Sequence, residues 1–208
     1  MKKKLSLLML AGLIAVSGLL LPVRPSHAFP QPAASSTAWH FDFTYSKPEP
    51  IALKAPDGSV TWYWYITYKV VNNTGLERLF IPEVTIATDR GDIITAGRGV
   101  PATAFAAIKD RSGKKLLENP IRVVGRILLG EDNARESVAV WPALDHDFDA
   151  LTIFICGLSG ESNIILNPQT HEPVTLCKTL MVEYAFPGTG GRPQDQAVLP
   201  RGETWVMR

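Results

Sequence analysis

The stretch Thr61-Trp62-Tyr63-Trp64-Tyr65-Ile66-Thr67-Tyr68-Lys69-Val70-Val71 constrains the fold more than any other part of this chain. It is aromatic and β-branched almost throughout, the composition that a pleated surface favours. Side chains of a strand alternate between faces. Trp62, Trp64, Ile66, Tyr68 and Val70 therefore share one face, which is the expected core. Thr61, Tyr63, Tyr65, Thr67 and Lys69 share the other. That second face is wetter but keeps two tyrosines. Asn72-Asn73-Thr74-Gly75 ends the strand with turn-forming residues.

Similar units surround it. Trp39 to Tyr45 alternates aromatic with polar residues and reads as a half-buried strand. Pro56-Asp57-Gly58-Ser59 is a turn. Phe80 to Thr88 is a strand carrying Pro82, which points to an edge or a bulge. Asp89-Arg90-Gly91-Asp92 is a hairpin turn into Ile93-Ile94-Thr95. Ser137 to Trp141, Leu151 to Cys156 and Thr175 to Phe186 are further strands, and Trp205-Val206-Met207 is a short closing one. Pro101 to Lys109 breaks the pattern. Its alanines, its proline at a first helical position and the spacing of Phe105 and Ile108 predict a short helix ending near Ser112-Gly113. Leu116 to Leu129 fits either state. Frequent turns, seven or eight short strands and a single helix predict an all-β, antiparallel, immunoglobulin-like β-sandwich with one short helical insertion.

The chain begins Met1-Lys2-Lys3-Lys4 and is apolar from Leu5 to Leu21, the pattern of a secretory leader. Ser26-His27-Ala28 offers a cleavage site, so residues 1–28 are expected to be a signal peptide; the alternative is an uncleaved anchor. Residues 29–38 read as a flexible linker and residues 39–208 as a single domain. The leader holds four of the 21 basic residues and none of the 20 acidic ones, leaving a mature chain of net charge −3. Such a chain has no general attraction for nucleic acid or anionic lipid. No later segment is apolar for long enough to span a membrane. Export to the periplasm or the cell exterior is the expected location.

The order of pieces resembles the immunoglobulin-like accessory domains of exported bacterial proteins. The Asn-rich turn after Val71, the acidic–Gly hairpin Thr88-Asp89-Arg90-Gly91, and Gly130-Glu131-Asp132-Asn133-Ala134 ahead of Ser137 carry that likeness. The strings Gly130 to Ala134, Gly157-Leu158-Ser159-Gly160-Glu161, Lys178-Thr179-Leu180 and the Trp205-Val206-Met207-Arg208 end resemble a family of uncharacterised exported bacterial proteins, over most of residues 39–208. The resemblance implies no activity.

No catalytic motif is complete. Ser159 follows Gly157, but a nucleophile elbow needs glycine where Glu161 stands and a helix afterwards. His171-Glu172 lacks a second histidine four residues on. Gly97-Arg98-Gly99 lacks the third glycine of a dinucleotide loop, and Gly113-Lys114-Lys115 lacks the rest of a P-loop. Glu131 and Asp132 are adjacent acids that fit a polar turn. Cys156 and Cys177 lie on consecutive expected strands of an exported chain, so they are read most simply as a disulfide contributing about 3 kcal/mol; two buried thiols are the alternative. Asp145, Asp147 and Asp149 alternate like the start of a calcium loop, although Ala150 and Cys156 stand where glycine and glutamate belong. Tyr63 and Tyr65 could form an exposed stacking surface or pack under the helix.

The expected role is therefore non-enzymatic: binding, scaffolding or structure in the bacterial cell envelope, without a cofactor, towards another envelope protein or a glycan. Two alternatives stand beside it. One is an envelope hydrolase or metal-dependent enzyme built from scattered carboxylates and His146. The other is a carbohydrate-binding module using Tyr63 and Tyr65.

Overall fold

The structure is a computed structural model and describes residues 30–33, 38–144, 148–187 and 193–208. A compact unit runs from Gln31 to Arg208. The long aromatic strand is β3 (Val60–Val71). On one side it pairs with β1 (Asp42–Tyr45) along its second half and with β2 (Glu49–Lys54) along its first. On the other side it pairs with β8 (Arg135–Pro142), from Tyr63↔Pro142 to Val70↔Arg135. All pairings in this first sheet are antiparallel.

The second sheet is also antiparallel. Its order is β12 (Leu199–Met207), β11 (Pro173–Ala185), β9 (Ala150–Cys156), β5 (Glu83–Thr88) and β6 (Ile93–Thr95). β10 (Ser162–Leu166) pairs with the start of β11. A short ribbon joins β4 (Arg78–Phe80) to β7 (Gly125–Ile127). Ile81 and Pro82 separate β4 from β5. The single strand expected over Phe80–Thr88 is thus broken where proline removes a ladder donor. The closing strand is three times the expected length, because β11 offers it a full edge from Lys178 to Ala185.

The two sheets enclose one core. Trp64, Ile66, Tyr68, Val70, Ala139 and Trp141 of the first sheet meet Val84, Ile86, Ile153, Ile155, Val182 and Tyr184 of the second. The fold is an all-β sandwich with one helical insertion. That helix, α1 (Ala102–Ser112), ends on Gly113, whose φ of 64° is the left-handed conformation of a helix C-cap. α1 lies on the outer face of the first sheet. Its Ala104 and Ile108 pack on Ile51, Tyr63, Tyr65, Val138 and Val140, with Leu117 beside them. β3 is therefore buried on both faces, which explains why its apolar character hardly alternates.

Trp141 is 1% exposed, and its indole Nε1–H has no hydrogen-bond partner. A buried unpaired donor carries a desolvation penalty of about 1–3 kcal/mol. Trp141→Phe removes that penalty while giving up some packing. The expected net loss is under about 2 kcal/mol, against the ~3–5 kcal/mol common for truncating a core aromatic to alanine. Denaturant midpoints of the two variants check this; equal losses for Phe and Ala would refute it.

Candidate functional site

The sandwich is open along the free edge of β8, and a groove of about 630 Å³ runs there. Val138, Ala139 and Val140 form its floor. Pro82 to Val84 and Thr95 to Gly97 form the wall from the second sheet. Val100, Pro101, Ala102 and Phe105 close one end at the start of α1, and Asn119 to Ile121 with Val124 close the other. Ile121 is 84% exposed and Val124 is exposed, so the lip is apolar as well. A concave, mostly apolar cleft of this size suits a small ligand.

The backbone defines the groove's ends. Gly97 N–H donates to Val140 O at 2.8 Å, and Glu118 N–H donates to Glu136 O at 2.8 Å. Asn119 holds the far lip in shape: its Oδ1 accepts from Ile121 N–H at 2.9 Å. Lys109 Nζ donates to Leu117 O at 2.8 Å and ties α1 to the same segment. Arg135 grips Glu118 through Nε at 2.9 Å and also through its Nη2. Tyr68 contributes to the groove from the core side, and burial pushes its phenol up to about 12, against the pull of the Ser137 hydroxyl.

The sequence candidates fall elsewhere. Tyr63 and Tyr65 do not form an exposed stacking surface: they are 7% and 3% exposed. The helix covers them, and the Tyr65 hydroxyl donates to Glu49 Oε2 at 2.9 Å. Cys156 and Cys177 are free thiols and not a disulfide. The register explains this. Leu180 opposes Ile155, so continuing the ladder sets Cys156 level with Thr179, two positions from Cys177. Diagonal partners lie ~7–8 Å apart at Cα, beyond the ~5.5–6 Å a disulfide prefers. The thiols do touch. Burial first, then Cys156 by charge and hydrogen bond, then Glu83 all push the Cys177 thiol up.

Asp145 and Asp147, with His146, lie outside the described residues. Asp149 is exposed, and its backbone N–H donates to Asp89 Oδ1 at 3.2 Å. Among the described residues, no group of three or more His, Cys, Asp and Glu side chains could hold a metal ion. Glu131 sits in a 3-10 turn and forms an ion pair with Lys69. Ser159 has a structural role. Its hydroxyl donates to Trp39 O at 3.0 Å and accepts from Glu161 N–H at 3.1 Å, which locks the turn after β9. Ala33, within the expected linker, donates its N–H to Glu161 Oε1 at 2.7 Å. That bond and the Lys178 ammonium hold the Glu161 carboxyl below its ordinary range.

Sequence reasoning missed the groove. Its floor is the edge of a strand, and its lips come from segments far apart in the chain. The apolar residues between Leu116 and Leu129, in the stretch that fitted either a strand or a helix, were the available signal; Leu116, Ile121, Val124, Leu128 and Leu129 are exposed.

Four tyrosines shape the alkaline response: Tyr45 is raised well above its ordinary value, by burial first and then by the Glu203 carboxylate that accepts its hydroxyl. Burial pushes Tyr65, Tyr68 and Tyr184 up to about 12, from an ordinary 10. A raised folded-state value favours the neutral phenol in the fold. Their contribution is complete below pH 10 and is lost as pH rises towards 12. Thermal midpoints should fall steeply across that window, with tyrosinate absorbance rising together with unfolding. Full tyrosinate formation in a still-folded protein near pH 10 would contradict this.

Comparison with protein-family models, with curated proteins and with solved structures finds no match. Fold and groove together define a class: an antiparallel β-sandwich with an open, apolar cleft at one sheet edge. Among the described residues, no helix is long and apolar enough to cross a membrane.

Proposed function

We propose that this chain is an exported, non-enzymatic binding protein of the bacterial cell envelope, and that the groove along β8 is its binding site. The observation that carries the reading is the groove itself: about 630 Å³ of mostly apolar space left unfilled beside a close-packed core. Export rests on the leader composition, Lys2-Lys3-Lys4 followed by the apolar run to Leu21, with cleavage after Ala28.

The test uses the mature chain, residues 29–208, and an anilinonaphthalene dye that brightens in apolar sites. The dye should bind with one-site behaviour. Val124→Arg, placed on an exposed lip, should abolish binding without changing the melting temperature. Unchanged binding in that variant would overturn the groove as the site. Export is tested separately: the intact mass of protein recovered from the envelope fraction should match a chain starting at Phe29.

A further inference from the structure

The outer face of the second sheet carries a separate cluster of reactive side chains. Ile153 and Ile155 of β9, with Leu180 and Val182 of β11, point into the core. Alternation therefore sends Phe154, Cys156, Cys177 and Thr179 outward. Leu180 opposes Ile155, so Cys156 comes level with Thr179 and lies diagonally across from Cys177. Both cysteines are free and partly exposed, and their thiols hydrogen-bond to one another. A charge of each sign stands beside the pair. Glu83 is directly opposite Cys156. Arg208 is directly opposite Cys177: Cys177 N–H donates to Arg208 O at 2.7 Å, and Arg208 N–H donates to Cys177 O at 3.1 Å. The Arg208 guanidinium lies over the Phe154 ring, 4.1 Å from its centroid, which places it on the same outer face as both thiols.

Spacing selects what can join the sulfurs. A disulfide is ~2.05 Å long and prefers Cα atoms ~5.5–6 Å apart. Diagonal partners lie ~7–8 Å apart, about 2 Å more. A metal ion set between two sulfurs replaces one short bond by two of about 2.3 Å, the length of a zinc–thiolate bond, and widens the span by about 2.5 Å. The offset that is too long for a disulfide thus fits an interposed ion. The number of ligands selects the ion. Zinc takes four, and among the described residues no group of three or more His, Cys, Asp and Glu side chains could hold a metal. A soft monovalent ion is satisfied by two thiolates, and Cu(I) is the one such ligands select. Two thiolates and one monovalent cation leave a single negative charge. Arg208 supplies the balancing cation at the side of Cys177.

We infer that Cys156 and Cys177 bind one Cu(I) ion between their sulfurs, with Arg208 balancing its charge. Each thiol releases its proton to solvent as its sulfur takes its bond to the ion. The site is independent of the groove along β8. The test uses the full mature chain, reduced and kept free of oxygen, with Cu(I) shared between the protein and the coloured chelator bicinchoninate. One equivalent of copper should leave the chelator, and a thiolate-to-copper charge-transfer band should appear in the ultraviolet. Cys156→Ser and Cys177→Ser should each abolish the band and weaken binding by at least about a hundredfold, more than the loss of an outer-shell partner. Arg208→Gln should keep the band and weaken binding about tenfold; equal affinity there removes the arginine from the site. Should the serine variants fail to fold, alkylation of the parent chain decides. N-ethylmaleimide should add to both thiols of the copper-free protein and to neither in the copper-loaded one, as read by intact mass. Copper bound without the band, copper held undiminished by either serine variant, or alkylation indifferent to copper overturns the site. Zn(II) bound as tightly as Cu(I) overturns the two-coordinate assignment.

Discussion

Gly157→Ala is expected to be among the most damaging single substitutions in this protein, costing at least about 3 kcal/mol. Two effects add. Gly157 has φ 88°, where an L side chain is strained. A Cβ there would also stand 2.3 Å from Ile81 O, 3.0 Å from Ile81 C and 3.3 Å from Pro82 Cα. These are backbone atoms and have no rotamer by which to retreat. The turn after β9 would have to move away from the start of β5, and the fully buried Leu158 would move with it. Two controls separate the effects. Gly91→Ala shares a positive φ of 95° but meets nothing within 4 Å, so it should lose only about 1 kcal/mol. Gly202→Ala meets nothing either and should be near neutral. Equal losses at Gly157 and Gly91 would show that the close approach to Ile81 is unimportant.

Asn72→Ala should cost about 3–5 kcal/mol, far more than an ordinary turn asparagine. Asn72 is fully buried. Its Nδ2 donates to Leu76 O at 2.9 Å and to Ile127 O at 2.8 Å. Its Oδ1 accepts from Thr74 N–H at 3.1 Å and from Thr74 Oγ1 at 2.8 Å. One side chain thus binds the end of β3 to the approach to β4 and to β7. Alanine would leave these groups without that partner, and a buried orphan is penalised by its full desolvation. Asn72→Asp keeps the acceptors but turns a carboxylate towards two carbonyl oxygens. It should be at least as destabilising at neutral pH and recover part of the loss, relative to the parent, as acid protonates it. Denaturant unfolding of the three proteins at neutral and mildly acidic pH checks both statements. A loss near 1 kcal/mol for Asn72→Ala would show that the turn closes without its clamp.

Much of the architecture could be read in advance, because it is carried by local pattern. The alternation in Val60–Val71 sends Trp64, Ile66, Tyr68 and Val70 to one face, and those residues do fill the core. Pro101 and Gly113 bracket the helix as a proline before the first turn and a left-handed glycine after the last. The turn at Asp89 to Asp92 joins β5 to β6. Other elements were less visible. β2 and β10 carry little strand signal of their own, and long-range pairing to β3 and β11 makes them strands.

The site candidates fared differently, for a physical reason. For Tyr63 and Tyr65 the sequence left exposure and burial under the helix both open, because the partner that covers them, α1, lies some forty residues away. Cys156 and Cys177 were expected to pair because they lie on neighbouring strands of an exported chain, and a two-residue offset in register leaves them as neighbouring thiols, the alternative the sequence also carried. Ser159 looked like an incomplete nucleophile and is a hydrogen-bonded turn residue. The groove depends on which edge of the first sheet remains open and on two backbone contacts that cap it.

By itself the sequence determined the class of fold, the place of the helix and the face of β3 that became core. These follow from side-chain periodicity and turn chemistry, which act over a few residues. Only the tertiary structure decided what covers the tyrosines, how far apart the thiols stand and where the sandwich stays open. Those are questions of register and of contact between distant segments, and a pattern of period two is the same in either case.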